Sequence, residues 1–123
     1  MIALIQRVIQ ARVEVDGETV GNIGHGLLAL VAVQPEDGAS QVERMTQRLL
    51  GYRIFGDEDG KMNRSLTDTG GGLLLVSQFT LAADTRKGMR PSFTSAAPPE
   101  AGLRWFDELV NNCKSCHPQV ETG

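Results

Sequence analysis

A chain of 123 residues, 41% hydrophobic and 22% charged, has the size of one globular domain and can hide roughly two-thirds of its unfolded surface. A formal net charge of −3 excludes a protein that coats nucleic acid through bulk charge, while leaving room for a local basic patch. No apolar run approaches the ~18 residues of a membrane span, and the start MIALIQRVIQARVEV has no signal-peptide pattern, so a cytoplasmic protein with reduced cysteines is expected.

Ile2 to Val15 reads as strand, rich in isoleucine and valine and alternating from Ala11 onward. Asp16-Gly17 supplies a tight turn, and Thr19 to Ile23 returns as the hairpin partner. Gly24-His25-Gly26 breaks the chain before Leu27 to Val33, a run apolar on both faces that is expected as a central strand. Beyond the turn Pro35 to Gly38 the period becomes helical at Val42, Met45 and Leu49, with Ser40 as the expected N-cap and Gly51 as the stop. Arg53-Ile54-Phe55 and Lys61-Met62-Asn63 flank a turn and give a second hairpin signal. Gly70 to Gly72 leads into a strand expected over Leu73 to Leu81. Ala83 to Pro99 reads as loop, with Pro99 as the first residue of a helix. Leu103, Phe106, Val110 and Cys113 share one face of that helix, and Pro118 ends it. Val120 to Gly123 reads as the beginning of another element, and a strand of the sheet is expected to be missing. The whole, residues 1–123, is expected to be a single α+β domain with a mostly antiparallel, barrel-like sheet and two helices.

Within the run LLVSQFTL, an apolar strand takes on two hydroxyls and an amide before returning to leucine. Buried polar groups are costly without partners, so Ser77, Gln78 and Thr80 need something to bond. Alternation on a strand sets Gln78 and Thr80 side by side. The loop that follows carries Arg86, Lys87 and Arg90, three cations within five residues. Hydroxyls beside a basic loop suit a phosphate-bearing substrate, although the same pattern describes an ordinary strand end with a solvated loop.

The segments SQFTLAADT and GMRPSF, with MIALIQRV, GLL, LGYRIF and DGKMN in the same order along the whole chain, resemble the D-aminoacyl-tRNA deacylase family. The resemblance implies a homodimeric cytoplasmic hydrolase without metal or organic cofactor. It cleaves the ester between a D-amino acid and the 3′-terminal adenosine of tRNA, and glycine mischarged on tRNA is a second substrate. For that reaction, backbone N–H groups near Phe79 and Thr80 are expected to receive the developing oxyanion, and Ser77 and Gln78 to hold the ribose or adenosine. Thr80 has two open roles. It attacks the ester as a nucleophile, which requires a nearby base, or it positions the substrate while the 2′-hydroxyl of the RNA helps activate water. Arg7 is expected to brace the pocket or to be an exposed strand cation, and Arg86, Lys87 and Arg90 to meet the phosphates of the acceptor end. The family rejects L-amino acids with a glycine–cis-proline pair carried beyond the position of Gly123, so the residues of that selectivity are not among those named here.

Cys113-Lys114-Ser115-Cys116-His117 matches the C-x-x-C-H pattern of c-type haem attachment. Cys113 falls on the apolar helix face, where a thiol behaves as a small hydrophobe, and a zinc site would need a fourth ligand; no haem is expected. The alternative to an enzyme is a module that holds RNA ends or a protein partner without turnover.

Overall fold

Strand β4 (Gly26–Ala32) consists wholly of apolar residues and glycine, and the sheet is built around it. On one side it pairs antiparallel with β1 (Ile2–Val8), on the other parallel with β7 (Gly72–Ser77). Parallel to β7 at the far edge runs β8 (Val120–Thr122), giving the order β1-β4-β7-β8. The computed structural model describes residues 1–82, 86, 89–93 and 96–123.

The remaining strands form two hairpins, β2 (Ala11–Val15) with β3 (Glu18–Ile23), and β5 (Phe55–Gly56) with β6 (Met62–Arg64). Asp16 and Gly17 take left-handed angles (φ 52 and 80), the pair that a two-residue hairpin turn requires. Helices α1 (Ala39–Gly51), α2 (Leu66–Thr69) and α3 (Pro99–Cys116) complete the described residues, with a 3-10 turn at Phe79–Ala82.

Three expectations are corrected here. The central sheet is mixed rather than mostly antiparallel, because α1 and α3 are crossovers that return the chain to the starting end of the sheet, which makes the next strand parallel. It is also open and not barrel-like: β1 and β8 are its edges, and the β2–β3 hairpin packs across it as a second layer. At that crossing Gly21 lies so close to the Thr122 carbonyl that any Cβ would overlap it. Finally, the helices among the described residues number three, not two. The short α2 is set by a reciprocal cap, in which the Asp68 amide donates to Ser65 Oγ (3.2 Å) and the Ser65 amide to Asp68 Oδ2 (2.9 Å). Those bonds hold the Asp68 carboxyl below its usual range.

The long helices cover one face of the sheet. Leu27, Ala29, Val31 and Val33 from β4 and its end, Leu73 and Leu75 from β7, Val42 and Leu49 from α1, and Phe106, Leu109 and Cys113 from α3 form one buried cluster. On the other face Leu4, Leu30 and Val76 align across three strands, half-buried or exposed. The cap of α1 is Gly38 rather than Ser40; the Gln41 side chain accepts from the Gly38 amide at 2.9 Å. Among the described residues no helix is long and apolar enough to cross a membrane.

Candidate active site

The strand expected to run to Leu81 ends at Ser77. The Gln78 amide still donates to the Val31 carbonyl (2.7 Å), and then the chain curls into the 3-10 turn, where the Leu81 amide reaches the Gln78 carbonyl at 3.3 Å. Residues that open such a turn have amides with no partner inside it. Among the described residues, no carbonyl accepts from the Phe79 or Thr80 amide. Both residues are exposed, so among the described residues two adjacent main-chain donors stand unpaired at the sheet's end.

The turn, rather than strand alternation, brings Gln78 and Thr80 together: Gln78 Nε2 donates to Thr80 Oγ1 at 2.5 Å. With a lone pair of the threonine oxygen engaged, its own proton remains available to a substrate acceptor. Ser77 points to the helix-covered side with Leu73 and Leu75, and its hydroxyl makes no bond to the described residues.

Ser77 and Phe79 form one wall of a cleft of about 570 Å³. Phe93, Pro98, Pro99, Leu103, Val33 and Gly102 are among the residues that line the rest of it. Phe79 and Phe93 meet edge to face, with ring centroids 5.3 Å apart and planes at 62°, an arrangement favoured by the ring quadrupole. Leu103, expected in the helical core, instead stays 64% exposed on the cleft wall. The amino end of α3 opens on the same cleft, and its unpaired first-turn amides add positive potential there. Phe93, Pro98, Pro99, Gly102 and Leu103 were not singled out from sequence as site residues; they carry no chemistry of their own, and it is the turn at Ser77 that brings the cleft to them.

Among the described residues, none that lines the cleft ionises. His25 lies between β3 and β4, where its carbonyl accepts from Gly72, and His117 Nε2 is 2.6 Å from the Gly71 carbonyl. Both imidazoles are thus at the beginning of β7, five residues or about 16 Å from Ser77. Neither can serve Thr80 as a base.

The expected cations are distributed unevenly. Arg86 and Arg90 are exposed in the segment between the 3-10 turn and Phe93, whose ring contact with Phe79 ties that segment back to the cleft. Lys87 lies outside the described residues. Arg7 is not brought to Ser77: it pairs across β4 with Leu27, whereas Ser77 is level with Val31, and its side chain lines a different cleft between β1 and α1. In the C-x-x-C-H segment, Cys113 is fully buried and burial pushes its thiol up to about 11, while His117 caps α3 with its ring held by Gly71. Only Cys116 of the three is exposed, so the spacing serves the end of a helix. Among the described residues no group of three histidine, cysteine or acidic side chains converges as a metal site would require.

A family model described as D-Tyr-tRNA(Tyr) deacylase matches residues 4–123. A D-aminoacyl-tRNA deacylase of Stenotrophomonas maltophilia is 68% identical over 124 residues, spanning all of this chain and 85% of that protein. One of Methylococcus capsulatus is 68% identical over 123 residues and 80% of its length is covered. Among solved structures, a c-Myc DNA Unwinding Element Binding Protein superposes with a TM-score of 0.93 at 33% identity, over 98% of this chain and 83% of that one. A probable eukaryotic D-amino acid tRNA deacylase superposes at 0.76 with 20% identity, over 92% and 66%, a likeness of fold.

Proposed function

The chain belongs to the D-aminoacyl-tRNA deacylase family, and we propose that the corner at Ser77–Thr80 is where it cuts the ester of D-aminoacyl-tRNA. The observation that carries this reading is the pair of main-chain amides at Phe79 and Thr80 that no carbonyl of the described residues accepts from, at the mouth of a cleft whose described lining residues include no ionisable group.

In the reaction, water attacks the ester carbonyl, negative charge builds on the carbonyl oxygen, and collapse expels the ribose oxygen, which takes up a proton. Donors fixed before the reaction, on a rigid turn, stabilise that charge without reorganising; one such donor is worth about 2.7–4 kcal/mol of barrier. The 2′-hydroxyl of the terminal ribose relays the proton from water, because no side-chain base lines the cleft among the described residues. Thr80 positions the substrate: its oxygen is already accepting from Gln78, and a nucleophilic hydroxyl would need a base, which none of the described cleft residues provides. The Ser77 hydroxyl and the Gln78 amide hold the ribose, and Phe79 and Phe93 offer apolar surface to the adenine or the amino acid. Arg86, Lys87 and Arg90 meet the acceptor-end phosphates, while Arg7 acts away from the ester centre.

The same reading makes the protein a cytoplasmic proofreader that binds tRNA and also releases mischarged glycine. The apolar row Leu4–Leu30–Val76, on the part of the sheet face away from the long helices where Leu4 stays exposed, supports a homodimer, since surface of that kind marks an association site.

Deacylation of matched D- and L-tyrosyl-tRNA tests the assignment. Release from the D-ester, with Thr80→Ala retaining turnover within about tenfold, is the expected result. Binding without release would instead favour a module that only holds RNA ends. Abolished turnover in Thr80→Ala would reinstate attack by the hydroxyl.

A further inference from the structure

Two clefts run along the groove between β1 and α1, and they share Met45 and Arg48. The first, about 510 Å³, has an apolar floor that includes Ala3, Ile5 and Leu49, with Tyr52 and Arg48 on its rim; the second continues past Arg44 to Met1. Gln41, Arg44 and Arg48 follow one another at three- and four-residue spacing, so they form a stripe along one face of α1, and Tyr52, the residue that caps the helix, lines the same cleft as Arg48. Arg44 and Arg48 are about 6 Å apart along the axis.

The electrostatics of this stripe are one-sided. Neither cleft has a carboxylate among its lining residues, and among the described residues neither Arg44 nor Arg48 forms an ion pair. In a chain of net charge −3, adjacent unpaired guanidiniums over an apolar floor are a local excess that an anion would neutralise. Tyr52 is fixed at the helix end by its amide bond to the Arg48 carbonyl (2.9 Å), yet its side chain is 52% exposed. A flat aromatic face beside two guanidiniums suits a strand that offers both bases and phosphates.

Position favours one occupant. Ala3 in β1 is level with Val31 and hence with Ser77, two strand spacings or about 10 Å across the sheet. The 3-10 turn packs against both β4 and β1. The groove thus begins close to the proposed ester centre and leads away from it. We propose that the β1–α1 groove is a second RNA contact, which takes the single-stranded acceptor end of the substrate a few nucleotides before the esterified residue. Arg44 and Arg48 take successive phosphates, and Tyr52 stacks on a base. This rests on the reading of Ser77–Thr80 as the site of tRNA ester cleavage.

Steady-state kinetics on two substrates test it: D-tyrosyl-tRNA and the D-tyrosyl ester of adenosine, which lacks the upstream strand. The double variant Arg44→Gln/Arg48→Gln should raise KM for the tRNA about tenfold or more with kcat unchanged, and leave the adenosine ester unaffected. The slope of log kcat/KM against log salt should flatten by about 1.4 on tRNA, two single-strand contacts at ~0.7 each. Arg44→Lys/Arg48→Lys should recover most of that slope, and Tyr52→Phe should match wild type where Tyr52→Ala does not. Unchanged KM and slope on tRNA would overturn the contact, as would an equal loss on both substrates, which would mean that the arginines act on the fold or the ester centre. Wild-type protein that hydrolyses neither substrate would refute the ester-cleaving reading, and the contact with it.

Discussion

Replacing the Thr80 amide by an ester, with the α-hydroxy analogue of threonine at that position, deletes one N–H and leaves every side chain in place. No carbonyl accepts from that N–H among the described residues, so the folded state loses little. The cost is confined to a weaker acceptor at the Phe79 carbonyl inside the turn, on the order of half a kcal/mol. Catalysis should respond quite differently: losing one oxyanion donor costs about 2.7–4 kcal/mol of barrier, a 10²- to 10³-fold fall in kcat. The same replacement at Gln78 is the control. Its amide is bonded to Val31 at 2.7 Å, so about 1 kcal/mol of stability should go while kcat falls far less. Single-turnover deacylation and denaturant melts of the two semisynthetic proteins read both quantities. If the Thr80 ester turns over at the wild-type rate, and the equivalent Phe79 ester does too, the free amides do not hold the oxyanion and the mechanism is wrong.

Other consequences are smaller in scope. Phe93→Ala removes the ring against Phe79 and should raise KM several-fold, about 1 kcal/mol for an aromatic pair, with kcat nearly unchanged in the same assay. Iodoacetamide at pH 8 should label Cys116 alone in the native protein, with Cys113 reacting only after denaturation, as mass spectrometry can read. An unfolded Cys113 thiol ionises near 9.0 whereas the folded one keeps its proton to about 11. Stability present below the lower value is therefore lost as pH rises through that window, by up to about 3 kcal/mol, a decline that Cys113→Ala should lack. Gly26→Ala should destabilise the fold by about 3 kcal/mol, the upper end of the cost of overpacking, read as a lower midpoint in a denaturant melt. Its Cβ would meet the backbone of Gly72, with the nitrogen at 2.7 Å, and two paired main chains cannot yield as a side chain would.

Where periodicity is strong, the sequence was legible. The β2–β3 turn, the central place of β4, Pro99 as the first residue of α3 and the end of that helix before Pro118 all follow from local chemistry that the fold keeps. The mixed sheet was not legible, because strand direction is set by the crossovers and not by the strand's own residues. Nor was α2, whose four residues leave no period to detect, although Ser65 and Asp68 do carry the cap signature. Arg7 shows the limit of reading a site from a motif. It sits in the same family-like opening segment as the edge strand, but register puts it four residues further from the Ser77 level than Ala3.

The candidate site was half legible, and the reason lies in which atoms the proposed mechanism puts to work. Side chains announce themselves in a sequence; main-chain amides do not, since every residue but proline has one. What makes the Phe79 and Thr80 amides special is an event three bonds away: Gln78 spends its own amide on Val31, and the chain then leaves the ladder in a tight turn. LLVSQFTL reads as continuous strand because Phe, Thr and Leu all suit one, and a strand would have paired these donors. The polar residues Ser77, Gln78 and Thr80 record the break indirectly, by being hydrogen-bonding groups where a buried strand would tolerate none. A cleft with no acid, base or metal ligand among its described lining residues is consistent with that economy. If charge is stabilised by the backbone and the proton is handled by the RNA, the side chains need only shape the space, and substitution among Ser77, Gln78 and Thr80 should weaken turnover without any single one abolishing it.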